Sequence, residues 1–170
     1  MLGGCTSPSA APSVKPSGTP SVSVPVRPCA SDQLTSRLVE AVGAAGTMSA
    51  LYGLRDRSPH PCTLKGFPDV SFFTSAGHRL HVKLQRSDNI PPISVPPRRV
   101  QLAPGASAYF VIASGDMPAL SFPCVRTGAI VVGLPSHGGT IRITAKSEQI
   151  TYCAPGISVS PFLRANPFAG

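Results

Sequence analysis

The chain has 170 residues, a mass of 17.5 kDa and a formal net charge of +8. Only 13% of its residues are charged, whereas its 20 prolines and 16 glycines are about twice as frequent as average. This composition excludes a helical bundle or a coiled coil, and a hydrophobic content of 42% excludes disorder throughout the chain. We therefore expect a turn-rich, all-β domain with a low-complexity tail.

The first five residues predict a lipid attachment site at Cys5. Leu2-Gly3-Gly4-Cys5 has the small and apolar residues that bacterial lipoprotein signal peptidase recognises before the cysteine that receives lipid. We interpret residues 1–5 as the remnant of such a signal, and we expect its basic and apolar parts upstream of Met1. The alternative is an incidental thiol in an unanchored tail.

Residues 6–28 predict a disordered linker rich in Pro, Ser and Ala. The segment contains six prolines, has no apolar periodicity and carries no acidic residue. In a polyproline-like conformation it would span roughly 70 Å, at about 3.1 Å per residue. A tether of this length would hold a domain above a bilayer, within a cell wall.

The predicted domain begins at Cys29 and extends over residues 29–165. Residues 32–39 fit either a helical turn or an edge strand. Pro104 and Gly105 predict a type II turn between two strands, since proline presets the first turn position and glycine accepts a positive φ at the second. Short alternating or apolar runs predict nine strands and hence a two-layer β-sandwich: 48–54, 70–73, 80–84, 100–102, 106–112, 129–132, 140–144, 149–153 and 157–159.

The five cysteines indicate an oxidising compartment. Their wide spacing, with no Cys-x-x-Cys, argues against a zinc knuckle or a thioredoxin-like site. If Cys5 carries lipid, four cysteines remain for two disulfides. Four cysteines allow three pairings, and their spacing does not choose among them.

Two sequence blocks and the cysteines together resemble a known family. The blocks are Pro61-Cys62-Thr63-Leu64-Lys65-Gly66-Phe67-Pro68 and Leu102-Ala103-Pro104-Gly105. Over residues 29–163 the chain resembles the actinobacterial family catalogued as domain of unknown function 4232. The resemblance implies an immunoglobulin-like sandwich, no known enzymatic activity, and the disulfides Cys29–Cys62 and Cys124–Cys153. Leu54-Arg55-Asp56-Arg57 departs from the family pattern, in which an Asn-Thr-type turn is usual.

The sequence does not indicate an enzyme or a cofactor. It has no Gly-x-Ser-x-Gly elbow, and its seven carboxylates are isolated along the chain. His137 and Cys124 are too far apart in sequence, and in the wrong order, for the contiguous Ser-His-Gly-Cys-x-Arg block of L,D-transpeptidases. We therefore expect a non-catalytic protein.

A secreted copper- or zinc-binding protein is the alternative function. His78 and His81 are weak candidate ligands, because residues three apart in a strand point to opposite faces unless a bulge or turn intervenes. Scattered surface histidines are the simpler interpretation. The remaining residues that suit such a metal are His60, His137, Met48 and Met117.

The charge imbalance points instead to a binding role at the cell envelope. Arg55, Arg57, His81 and Lys83 are candidates for a basic face that meets an anionic wall polymer, a lipid headgroup or a partner protein. No run of five basic residues exists, so we expect no nucleic-acid binding. We expect the protein on the outer face of the cell membrane, held by lipid, or otherwise secreted.

Overall fold

The structure, a computed structural model, describes Met1, Gly4 and residues 25–44, 46–115, 124–144 and 150–169. Cys5, most of the predicted linker and Met117 lie outside these residues. After a 3-10 helix at Ser31–Gln33, the described residues form fourteen strands. The strands are β1 (Leu34–Ala44), β2 (Thr47–Asp56), β3 (Cys62–Lys65), β4 (Asp69–Phe73), β5 (Arg79–Leu80), β6 (Leu84–Arg86), β7 (Asn89–Ile90), β8 (Ile93–Ser94), β9 (Arg99–Leu102), β10 (Ser107–Gly115), β11 (Cys124–Thr127), β12 (Ala129–Gly133), β13 (Thr140–Thr144) and β14 (Ile150–Val159).

Two larger sheets build the sandwich. The six-stranded sheet has the order β1-β2-β10-β14-β11, and β6 pairs with β14 in parallel beside β11. The four-stranded sheet has the order β13-β12-β4-β5. The predicted all-β sandwich is thus confirmed. Two smaller pairs, β3-β9 and β7-β8, complete the described strands.

Aromatic rings fill the space between the two sheets. Tyr52 stacks on Phe110 with ring centroids 5.2 Å apart, and both belong to the six-stranded sheet. Phe72 of the four-stranded sheet meets Tyr152 edge-on, also at 5.2 Å. Because apolar side chains of both sheets share this core, burial of their inner faces holds the layers together.

The six-stranded sheet is also partly covered on its outer face. Leu51 and Val111 point outward and pack with Ile90 and Ile93 of the β7-β8 hairpin and with Leu163. Val39 and Tyr109 pack at the edge of this cluster, and beyond them Arg55 and Ser107 line a more polar surface. The outer face of the sheet is therefore apolar at one end and more polar at the other.

The segment before the 3-10 helix is fastened to β3. The amide of Thr63 donates to the carbonyl of Arg27 at 2.9 Å, and the amide of Cys29 donates to the carbonyl of Thr63 at 3.0 Å. Cys29 is also joined to Cys62 by a disulfide. The domain is therefore anchored at its first residue.

Both expected disulfides are confirmed. Cys29 pairs with Cys62, and Cys124 pairs with Cys153. The second pair bridges residues that lie directly opposite each other in β11 and β14. Each bridge closes a loop of about 30 residues, which in the chain-entropy description stabilises the fold by roughly 3–4 kcal/mol.

Three strand predictions differ from the structure. Residues 80–84 are not one strand: the chain leaves the four-stranded sheet after β5 and enters the six-stranded sheet at β6. Their alternation is nevertheless real, since Leu80, Val82 and Leu84 all pack against the shared core. Residues 150–153 and 157–159 of two predicted strands belong to the single strand β14, whereas position 149 lies outside the described residues. The undecided segment 32–39 contains the start of the edge strand β1.

The predicted turn at Pro104 and Gly105 is confirmed, but its strands do not pair. The amide of Ala106 donates to the carbonyl of Ala103 at 2.9 Å, and Gly105 has φ +79°. This is the geometry of a type II turn. The flanking strands belong to different sheets, because β9 pairs with β3 and β10 pairs with β2 and β14.

Candidate functional site

The structure does not bring the four predicted basic residues together. Arg55 and Arg57 lie at the end of β2, beside the N-terminal end of β10, whereas His81 and Lys83 lie between β5 and β6. Since β6 is level with the C-terminal half of β10, the two groups are roughly 20 Å apart at about 3.3 Å per residue. All four side chains are exposed.

A second arginine instead lies next to Arg55. On the antiparallel pair β1-β2, Arg37 is opposite Gly53 and Arg55 is opposite Thr35. The two arginines are therefore diagonal neighbours on the outer face, a relation in which backbones lie about 7–8 Å apart. Together they line a groove of about 400 Å³ that begins where the cover of the outer face ends.

A backbone contact orients the Arg55 guanidinium. Its Nε donates to the carbonyl of Gly105 at 3.0 Å. Gly105 is presented there by the type II turn, whose positive φ the sequence Pro104-Gly105 favours. With Nε engaged, the two terminal nitrogens of Arg55 remain for other partners, because no further hydrogen bond engages them within the described ranges.

Gly53 and Tyr109 form the floor and one wall of the groove. They are opposite each other on β2 and β10. A Cβ at Gly53 would lie 3.1 Å from Cγ2 of Val39 and 3.6 Å from Cε1 of Tyr109. The close neighbour is thus Val39, whereas the half-buried Tyr109 ring lies at ordinary contact distance beside Gly53. Two backbone hydrogen bonds to Leu163, of 2.9 and 2.7 Å, hold Tyr109 in place.

The groove carries positive charge, and none of the residues that line it is a carboxylate. Neither Arg37 nor Arg55 forms an ion pair within the part of the chain that the structure describes. Asp56 is adjacent to Arg55 in sequence, but it points to the opposite face and is fully buried. Its Oδ1 accepts a hydrogen bond from the amide of Ser58 at 2.8 Å. The arrangement suits an anion.

Sequence reasoning missed most of this groove. The sequence does not single out Arg37, because residues 32–39 fit either a helical turn or an edge strand. Only the strand places Arg37 and Thr35 on the same face. The Tyr109 ring is half-buried on the outer face, where it packs against the cluster around Leu163. A signal was present in Gly53, because a glycine inside an apolar strand marks a close approach by another group.

The metal-ligand candidates lie apart from the groove. His78 is exposed in the turn before β5, and His81 is exposed after it. Among the described residues, no three His, Cys, Asp or Glu side chains are close enough to hold a metal ion. His60 and His137 are both exposed, and Met48 packs against the core. The sequence-based metal hypothesis therefore gains no geometric support.

One polar pair is buried in the core itself. The hydroxyl groups of Tyr52 and Tyr152 lie 2.7 Å apart and share a hydrogen bond. Burial raises the pKa of Tyr52 to about 12, although the hydrogen bond to Tyr152 opposes part of this rise. Burial also raises the pKa of Tyr152 well above its usual value. Both phenols are therefore neutral and serve the core.

No helix in the described residues is long and apolar enough to cross a membrane.

Comparison with known proteins identifies the family. No curated protein and no solved structure matches the chain. A family model described as "Domain of unknown function (DUF4232)" matches residues 29–168, which include both disulfides and all the described strands. The chain therefore belongs to the DUF4232 family.

Proposed function

We propose that this protein is a non-catalytic binding domain of the cell envelope that holds an anionic partner on its outer sheet face. The observation that carries the proposal is the pair of neighbouring arginines, Arg37 and Arg55, in an open groove whose lining residues include no carboxylate, and neither arginine forms an ion pair within the described residues. An enclosed pocket with a nucleophile and a base would favour catalysis. This groove offers cations, hydroxyl groups and one aromatic ring.

The disulfides support an extracytoplasmic location. Cys29, Cys62 and Cys153 are almost fully buried, so these bonds are part of the packed domain. Structural disulfides form and persist in oxidising compartments and are rare in the cytosol. A domain stabilised in this way suits the cell surface.

The sequence before the domain supports attachment to the membrane. Cys5 follows the small residues expected at a lipoprotein cleavage site, and residues 6–28 have the composition of a tether. A single lipid chain binds membranes only weakly, so stable anchoring requires several chains or an added basic patch. Lipid on Cys5 and the basic groove would together hold the domain at an anionic surface.

Localisation is tested by lipid labelling. The full chain is produced in a bacterium behind a lipoprotein signal peptide, with Cys5→Ala as the matched control, and is fed an alkyne-tagged fatty acid. We expect the parent protein to carry the label and to be recovered in the membrane fraction. The Cys5→Ala variant should do neither. A labelled Cys5→Ala protein, or a parent found in the cytosol with free thiols, would contradict the proposal.

Binding is tested by retention on envelope material. The purified domain is applied to cell-wall preparations and to vesicles that contain an anionic lipid, over a series of salt concentrations. We expect retention that weakens as salt rises, because salt screens exposed charges. Retention independent of salt, or no retention on either material, would exclude the proposed anionic partner.

A further inference from the structure

We propose that the groove between Arg37 and Arg55 is a site for a phosphate ester carried on a polyol or a sugar. This inference rests on the proposed function, whose anionic partner it specifies. The site consists of the two arginines, the hydroxyl groups of Thr35 and Ser107, and Tyr109 over Gly53. The phosphate is expected at the arginines and its organic part beside the tyrosine.

The two arginines distinguish phosphate from a carboxylate. One guanidinium satisfies one carboxylate through two parallel hydrogen bonds, which leaves a second, adjacent guanidinium uncompensated. A tetrahedral phosphate presents more acceptor oxygens and therefore accepts from both groups. The diagonal placement of Arg37 and Arg55 on β1 and β2 lets them converge on one such group.

Arg55 is held in position before a ligand arrives. The hydrogen bond from its Nε to Gly105 fixes one edge of the guanidinium, and Arg55 is one of the residues that line the groove. Fixing this long side chain in advance reduces the entropy that binding would otherwise cost. Ser107 lies opposite Arg55 on β10, so its hydroxyl group is on the same outer face.

Tyr109 supplies the part of the site that favours an organic phosphate over a free ion. Its ring is half-buried beside Gly53, and its hydroxyl group forms no hydrogen bond within the described residues. A ring with an unpaired hydroxyl group can pack against the carbons of a polyol or sugar and hydrogen-bond to its hydroxyl groups. A volume of about 400 Å³ holds such a unit.

The first experiment is an amide NMR titration of the domain with glycerol phosphate, inorganic phosphate and acetate. We expect glycerol phosphate to shift the amides of Arg37, Gly53 and Arg55, inorganic phosphate to bind more weakly at the same amides, and acetate to bind more weakly still. Equal effects of acetate and glycerol phosphate, or shifts confined to other basic residues, would overturn the proposal.

Matched variants then assign the side chains. Arg37→Gln and Arg55→Gln should each weaken glycerol phosphate binding about tenfold or more, since each variant loses charge-assisted hydrogen bonds to the phosphate. Arg57→Gln and Lys83→Gln remove exposed charges outside the groove and should leave binding unchanged. An equal loss of glycerol phosphate binding in all four variants would show that net charge alone governs binding, and it would refute the site. Dispersed spectra of each variant establish that it folds.

The source of the phosphate is distinguished by two probes. One is soluble poly(glycerol phosphate), and the other is vesicles of phosphatidylcholine with or without phosphatidylglycerol, at matched phosphate content. Groove-dependent binding to the polymer alone assigns a wall polymer, and groove-dependent binding to the vesicles assigns a lipid headgroup. Binding to neither probe, with glycerol phosphate also inactive, overturns the proposal.

The groove and the proposed function fail in different ways. If wall preparations retain the Arg37→Gln/Arg55→Gln double variant as well as the parent, the groove is not the site and the assignment of binding to the outer face is wrong, whereas retention at the envelope stands. If the groove binds glycerol phosphate but no wall or vesicle retains the parent, the site is correct and the envelope function is wrong.

Discussion

The hydroxyl oxygens of Tyr52 and Tyr152 are 2.7 Å apart in the core, although the residues are 100 positions apart in the sequence. Each buried hydroxyl group supplies the other with its hydrogen-bond partner. Because the surroundings are aromatic and aliphatic, the pair is a single polar unit in an apolar core. Its two halves should therefore be energetically coupled.

Removing both hydroxyl groups should lower the free energy of unfolding by less than the sum of the losses from removing each one alone. Tyr152→Phe leaves the hydroxyl of Tyr52 buried without its partner, which costs about 1–3 kcal/mol of unfolding free energy. Adding Tyr52→Phe should recover part of that loss, since no buried hydroxyl then lacks a partner. A urea-unfolding double-mutant cycle measures the coupling, and strictly additive losses would disprove it.

The same pair should make the fold sensitive to high pH. The folded protein holds Tyr52 protonated up to a pKa of about 12, whereas an unfolded tyrosine ionises near 10. The unfolded state therefore binds fewer protons above pH 10, so stability falls as pH rises through 10 to 12. Thermal unfolding at a series of pH values measures this fall.

The matched control for the pH effect is the Tyr52→Phe/Tyr152→Phe double variant. It lacks both phenols with raised pKa values and should lose stability less steeply above pH 10. If parent and double variant decline in parallel, the loss at high pH comes from other groups.

The two disulfides should be reduced in a defined order. Cys124 is half-buried, whereas Cys29 and Cys62 are 1% and 2% exposed. Reduction requires a thiolate to reach a sulfur atom, so Cys124–Cys153 should open first under mild reductant. Timed alkylation followed by peptide mass spectrometry reports the order. Earlier labelling of Cys29 and Cys62 would contradict it.

Gly128 should be intolerant of a side chain. A Cβ there would lie 2.4 Å from the Cα of Ser75, a backbone atom that moves only if the turn before β5 shifts. Gly128→Ala should therefore destabilise the protein by about 1–3 kcal/mol, as overpacking does. Gly43→Ala is the control, because no atom lies within 4 Å of its added Cβ. Equal unfolding midpoints for the two variants would exclude this close approach.

Local patterns predicted individual strands better than their partners. The predicted strand 106–112 corresponds to β10, and its alternating residues Ala108, Phe110 and Ile112 face the core. Residues 80–84 alternate equally well, yet they cross between the sheets, because a period of two describes which side faces inward and not which neighbour forms the hydrogen bonds. Pairing depends on contacts that are distant in sequence.

The candidate site was predictable in part for the same reason. Arg55 was identified from its charge, and the structure places it in the groove. Its neighbour Arg37 becomes visible only when β1 and β2 are in register, since the two residues are 18 positions apart in sequence. Lys83 and His81, the other predicted members of the basic face with Arg57, lie outside the groove. Charge alone therefore predicted an anionic partner, whereas the residues that form the groove follow only from the pairing of the strands.

The disulfide Cys29–Cys62 has a mechanical consequence. Strands β1 and β2, which carry Arg37, Gly53 and Arg55, lie wholly inside the loop that this bond closes. A pull on the chain before Cys29 passes directly through the sulfur atoms to Cys62, and the enclosed loop bears no tension. After reduction of this bond, the same force would act on β1 and β2, the strands that carry the two arginines. Because β1 is at the edge of the sheet, it would detach first and the groove would be lost with it.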